Sequence, residues 1–118
     1  MKRFPTLILA AAGLAACTPS KALMPHDWAL DVQTAETRAA HSSLAEHYED
    51  IARTMDDDAA EERKLLNAYN AAPHKYGKNI LDIRARSEAM VRDFELAAEE
   101  SRKMANYHRQ LANAGSKP

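Results

Sequence analysis

The stretch that decides the fold covers residues 80–111 and reads ILDIRARSEAMVRDFELAAEESRKMANYHRQL. It contains neither proline nor glycine, and mostly apolar side chains recur alternately three and four positions apart. This stripe comprises Ile80, Ile83, Ser87, Met90, Phe94, Ala97, Ser101, Met104, His108 and Leu111. The spacing is typical of a coiled-coil seam. It predicts a long helix that Asn79 caps and that runs to about Asn113, before Gly115.

A second helix is predicted upstream, over about residues 34–72, where proline and glycine are again absent and Ala, Glu, Arg and Leu dominate. Thr34 or Asp31 is the expected N-cap. Its stripe contains Leu44, Tyr48, Ile51 and Met55, and after residues 56–58 it resumes, one residue out of phase, at Ala59, Glu62, Leu66 and Tyr69. Such a shift changes the supercoil locally without ending the helix.

Residues 73–78, PHKYGK, form the only break between the two predicted helices. A connection this short requires the helices to fold back on each other. The predicted fold is therefore all-α, a long antiparallel helical hairpin over residues 34–113 followed by a tail over residues 114–118. Because one hairpin buries little core, we expect two copies to pair as a homodimer through Ile83, Met90 and Phe94, forming a four-helix bundle.

The beginning of the chain has the order of an export signal. Lys2 and Arg3 precede a 13-residue, largely apolar run over residues 4–16, which is too short to span a membrane permanently. Residues 14–17, LAAC, resemble the lipobox of bacterial lipoproteins. The resemblance implies that residues 1–16 are a signal peptide and that Cys17 becomes the lipidated N-terminus. It also implies attachment to a membrane of the cell envelope.

Residues 17–33 contain two prolines and are predicted to be a tether between the lipid and the hairpin. Within it, Trp28, Leu30 and Val32 are expected to dock on the hairpin through a short turn capped by Asp27. Because Thr18 replaces the aspartate that retains many lipoproteins at the inner membrane, the outer membrane is expected, with the hairpin facing the periplasm.

The composition excludes several classes of function. The net charge is −1 and becomes more negative once Lys2 and Arg3 are removed, which argues against nucleic acid as a partner. Cys17 is the only cysteine, so no intramolecular disulfide can form. The sequence lacks the zinc-protease pattern His-Glu-x-x-His and the hydrolase pattern Gly-x-Ser-x-Gly, and we expect no enzymatic activity.

Four side chains are candidate metal ligands. A hairpin that turns near residue 75 gathers His41, His47, Met104 and His108 near the end remote from the turn. Imidazole together with thioether suits copper, especially Cu(I). The alternative is that His108 is a packed, hydrogen-bonded residue of the seam.

Residues 40–50, 97–100 and 104–112, together with the lipobox, resemble a group of small proteobacterial lipoproteins. Members of this group often carry His-Cys early in the second helix, where this chain has Arg86-Ser87. The difference weakens any metal or redox role carried over from the group. The resemblance implies a helical lipoprotein that faces the periplasm, and it supplies no established activity.

Two functions are therefore expected from the sequence. The favoured one is a membrane-anchored structural or protein-interaction module of the envelope, because the helices are long and charged. The alternative is a periplasmic protein that binds or senses copper.

Overall fold

The computed structural model describes residues 26–115 and 118. It contains a short helix α1 (Trp28–Thr34), two long helices α2 (Arg38–Ala71) and α3 (Ile80–Asn113), and a 3-10 segment at Pro73–Asn79. The long helices have 34 residues each, about 50 Å at 1.5 Å per residue, and pack against each other. The predicted all-α antiparallel hairpin is confirmed.

The predicted signal peptide, Cys17 and the first part of the tether lie outside the described residues. In the part of the chain that is described, no helix combines the length and the apolar character that crossing a membrane requires.

Helix α2 begins later than the sequence suggested. The prediction of Thr34 or Asp31 as its cap is wrong, because Ala35 is extended and separates α1 from α2. Thr37 is the cap, and its hydroxyl accepts a hydrogen bond from the backbone N–H of Ala40 at 3.1 Å. Thr34 instead ends α1, where its hydroxyl donates to the carbonyl of Leu30. The cap of α2 therefore lies three residues after the later of the two predicted positions.

The predicted turn capped by Asp27 is confirmed as helix α1. The Asp27 carboxylate accepts a hydrogen bond from the N–H of Leu30 at 3.0 Å. Trp28 packs on α2, whereas Leu30 and Val32 are exposed. Only one of the three apolar side chains therefore docks as predicted.

The break between the long helices lies where the sequence placed it. Gly77 has φ 56° and ψ −139°, a backbone conformation that favours glycine, and it lets the chain reverse direction. The Tyr69 and Tyr76 rings meet edge to face, with centroids 5.0 Å apart, and hold the turn against α2. Asn79 occupies the predicted N-cap position of α3, but its side chain makes no capping hydrogen bond.

Two columns of side chains, each with a seven-residue repeat, face the partner helix. The central column contains His41, Tyr48, Met55, Glu62 and Tyr69 on α2 and Ser87, Phe94, Ser101 and His108 on α3. The alanine column contains Ala45, Ala52 and Ala59 on α2 and Ala98, Ala105 and Ala112 on α3, all of them buried. Small side chains in this column let the two helix axes approach closely.

The alanine column corrects two details of the predicted seam. On α3, Met90 and Met104 are 44% and 38% exposed, whereas Ala98, Ala105 and Ala112, each one residue after a position of the predicted seam, are buried. On α2, the repeat through Ala45, Ala52 and Ala59 passes residues 56–58 without the predicted phase shift. Alanines take the inner position because methionines there would hold the helices apart.

The hairpin has two different faces beside this seam. On one face, three ion pairs link the long helices at seven-residue intervals: Glu49–Arg109, Asp56–Arg102 and Arg63–Glu95. Each partner follows a central-column residue by one position, which places it about 100° around the helix. We call this surface the ion-paired face.

The opposite face carries a column of apolar side chains on α3 and is called the open face. Residues that follow the central column by three positions lie about 60° around the helix in the other direction. On α3 these residues, the open column, are Ile83, Met90, Ala97, Met104 and Leu111. The same offset on α2 gives Leu44, Ile51, Asp58 and Leu65, of which Leu44 is buried and Leu65 is exposed.

Candidate functional site

A pair of histidines joins the long helices at the end remote from the turn. His41 on α2 and His108 on α3 place their Nδ1 atoms 3.2 Å apart, and their ring centroids are 5.5 Å apart. A hydrogen bond between two Nδ1 atoms needs one N–H donor and one lone pair, so at least one of the rings is neutral. The sequence predicted that both residues lie near this end of the hairpin, and the structure brings the two rings into contact.

The packing around His108 disfavours its protonated form. His108 is buried, and the Tyr48 ring stacks on it nearly parallel, with centroids 5.7 Å apart. Burial, and then the proximity of His41, lower the pKa of His108 below its ordinary value of 6.5. The neutral imidazole therefore dominates at neutral pH, and its lone pair can accept a hydrogen bond or bind a metal ion.

The other two candidate ligands point elsewhere. His47 stacks on Trp28 of α1, with ring centroids 3.8 Å apart and an interplanar angle of 15°. Met104 belongs to the open column, four residues before His108. The structure thus brings His41 and His108 into contact and packs His47 against α1. Over residues 26–115 and 118, no group of three or more His, Cys, Asp or Glu side chains could hold a metal ion.

The separation of the two nitrogens also fits a shared ion. Two imidazole nitrogens bound tetrahedrally to one metal ion at about 2.0–2.1 Å would lie about 3.3 Å apart. The Nδ1 atoms of His41 and His108 are 3.2 Å apart. The pair can therefore supply two ligands without a large movement of either helix.

An array of aromatic rings extends from this pair to α1. His26 and Trp28 lie 4.4 Å apart, His47 and Tyr48 lie 5.4 Å apart, and Tyr48 reaches His108. Sequence reasoning predicted that Trp28 docks on the hairpin but missed its partner, His47, and the stacking of Tyr48 on His108. The periodic pattern of α2 indicated Tyr48 as a seam residue, but it does not specify where α1 docks.

A buried polar contact lies three heptads closer to the loop. Ser87 Oγ donates a hydrogen bond to Glu62 Oε1 at 2.6 Å, and both side chains are buried. This contact and the histidine pair lie on the same central column, so together they fix the register of the hairpin. A slip by one heptad would leave the Glu62 carboxylate buried without its donor.

The ion-paired face offers little room for a small ligand. A cleft of about 220 Å³ is lined by Glu49, Ala52, Arg53 and Arg102. Typical small-molecule sites enclose about 300–1,000 Å³. The open face is different, because Met90, Met104 and Leu65 present apolar surface without an enclosing wall.

Comparison with known proteins gives no relative: the chain matches no family model, no curated protein and no solved structure.

Proposed function

We propose that the protein is a lipid-anchored module of the bacterial cell envelope that presents the open face of its hairpin to another protein chain. The observation that carries the proposal is the contrast between the two faces. Three ion pairs already link the helices on one face, whereas Met90 and Met104 remain exposed on the other. Contiguous exposed apolar surface on a small protein marks an interaction site.

The anchor is proposed from the lipobox at residues 14–17. A lipoprotein with two or more acyl chains is held stably on a membrane, whereas one chain gives marginal binding. The proposed location is the outer membrane, with the hairpin in the periplasm. Fractionation of cells that express Cys17→Ala tests the anchor, with Ser20→Ala as the control. The membrane pool should be lost only in Cys17→Ala, and an unchanged pool would contradict the anchor.

A photo-crosslinking amino acid tests the interaction role in the full chain in cells. One variant carries it at Met104 on the open face. The control carries it at Leu81, which is 74% exposed and follows the central column by one position, as the ion-paired residues do. We expect a protein adduct from position 104 and none from position 81. No adduct from position 104, or equal adducts from both, would refute the role of the open face.

The second candidate function is metal binding, in which His41 and His108 supply two ligands to an ion such as copper. To complete the site, His47 would have to leave Trp28, or Met104 would have to turn away from the open face. The 3.2 Å separation of the two Nδ1 atoms supports it. An ion present at a concentration a hundred times its Kd would stabilise the fold by about 2.7 kcal/mol.

Thermal melts with and without Cu(I) test this candidate. His108→Ala should abolish the stabilisation by metal. His47→Ala should keep most of it if the histidine pair supplies the principal ligands. An equal melting temperature for the unsubstituted chain with and without the ion would rule the site out.

A further inference from the structure

The open column of α3 has a symmetry of its own. Its five members lie seven residues apart, and the order of side-chain size is large, large, small, large, large about Ala97. When two such helices cross antiparallel at Ala97, Met90 of each copy meets Met104 of the other. This reciprocity is what a two-fold symmetric interface requires.

We infer that the occupant of the open face is a second copy of this chain, paired through α3 about a two-fold axis at Ala97. The inference rests on the proposed interaction role of the open face and names its partner. The small side chain at the axis allows the two helices to approach closely. The two methionines on either side adapt their shape to fill the gaps.

The extent of the surface is adequate for a stable dimer. From residue 83 to residue 111 the column is about 42 Å long at 1.5 Å per residue. With a width of about 15 Å, roughly one and a half helix diameters, it covers on the order of 600 Å² per copy, about 1,200 Å² in total. That total reaches the lower limit of specific protein interfaces.

Helix α2 contributes less to this interface than α3. Its open-face positions include Asp58, whose carboxylate interrupts the apolar surface. Helix α1 lies beside Ala40, Ser43 and His47, at the remote end of the same helix. The open column of α3 contains no charged residue, so it forms the centre of the pairing.

Cysteine crosslinking in the full chain tests the position of the axis. Ala97→Cys places a thiol at the axis, and Ala85→Cys places the matched thiol on an exposed surface of the same helix. Membranes are treated with a short bismaleimide and analysed on a denaturing gel. The unsubstituted chain, whose only thiol is Cys17, gives the background.

We expect a covalent dimer as the main product of Ala97→Cys and only background from Ala85→Cys. Adding Met90→Lys should abolish that dimer, whereas Leu81→Lys should leave it, because Leu81 is an apolar position outside the open column and is more exposed than Met90, 74% against 44%. Equal crosslinking of the two cysteine variants, or a dimer that survives Met90→Lys, would overturn the inference.

The photo-crosslinking experiment separates this inference from the proposed function. An adduct from position 104 with the mass of two copies agrees with self-pairing. An adduct with a different protein, together with no dimer from Ala97→Cys, overturns self-pairing and leaves the interaction role standing. The absence of any adduct from position 104 would overturn both the self-pairing and the interaction role of the open face.

Discussion

Replacement of Ala52 by leucine tests the claim that the alanine column sets the distance between the long helices. Ala52 is 3% exposed. The register set by the Ser87–Glu62 and His41–His108 contacts places it level with Ala98, which is fully buried. Leucine adds three carbon atoms where two alanines already meet. The added carbons that do not fit into the cleft lined by Ala52 force the helices apart there, and the central column on either side loses contact.

The expected cost follows from overpacking. Extra methylene groups in a well-packed core typically cost about 1–3 kcal/mol. For a domain of this size, 1 kcal/mol lowers the melting temperature by about 4–8 °C, so we expect a decrease of roughly 4–24 °C. If the helices could separate freely, burial of the added carbons would instead return about 0.8 kcal/mol for each methylene. A lower melting temperature would therefore indicate that the two helices cannot separate freely, and a higher one would indicate that they can.

The matched control is Ala60→Leu, the same change at an exposed position of α2. Alanine and leucine have similar helix propensities, so this variant should stay within about 0.5 kcal/mol of the unsubstituted chain. Thermal unfolding followed by circular dichroism, at one protein concentration and pH, compares the three proteins. An Ala52→Leu variant that melts at or above the unsubstituted chain would refute close packing through the alanine column.

Three further predictions concern the other contacts. Because the pKa of His108 is lowered in the folded state, the unfolded chain binds more protons. Stability should therefore be highest above about pH 6.5, fall as the pH drops from there towards the lowered pKa, and level off below it. His108→Gln should show a smaller difference in melting temperature between pH 7.5 and 5.5. Ser87→Ala removes the donor to the buried Glu62 carboxylate and should cost about 1–3 kcal/mol in urea unfolding at pH 7; no change would contradict a structural role for this contact. Thr37→Ala should cost about 1 kcal/mol through loss of the cap, more than Thr34→Ala, and the reverse order would place the start of α2 elsewhere.

Local features of the sequence were enough to predict the two long helices and the reversal between them. Proline and glycine are absent from residues 34–72 and 80–111, and the break at residues 73–78 includes Gly77, which has a positive φ. Helix propensity and a short connection act through neighbouring residues, so they can be evaluated without the fold. The apposition of His41 and His108 followed from the same antiparallel arrangement.

The tertiary structure decided which side of each stripe faces inward. A heptad pattern defines an apolar stripe wide enough for either Met104 or Ala105 to take the inner position. The choice depends on how closely the two axes approach, which is a property of both helices together. Only the packed hairpin therefore shows Ala105 buried and Met104 exposed. The docking of Trp28 on His47 has the same origin, because α1 meets a surface of α2 that local propensity does not specify.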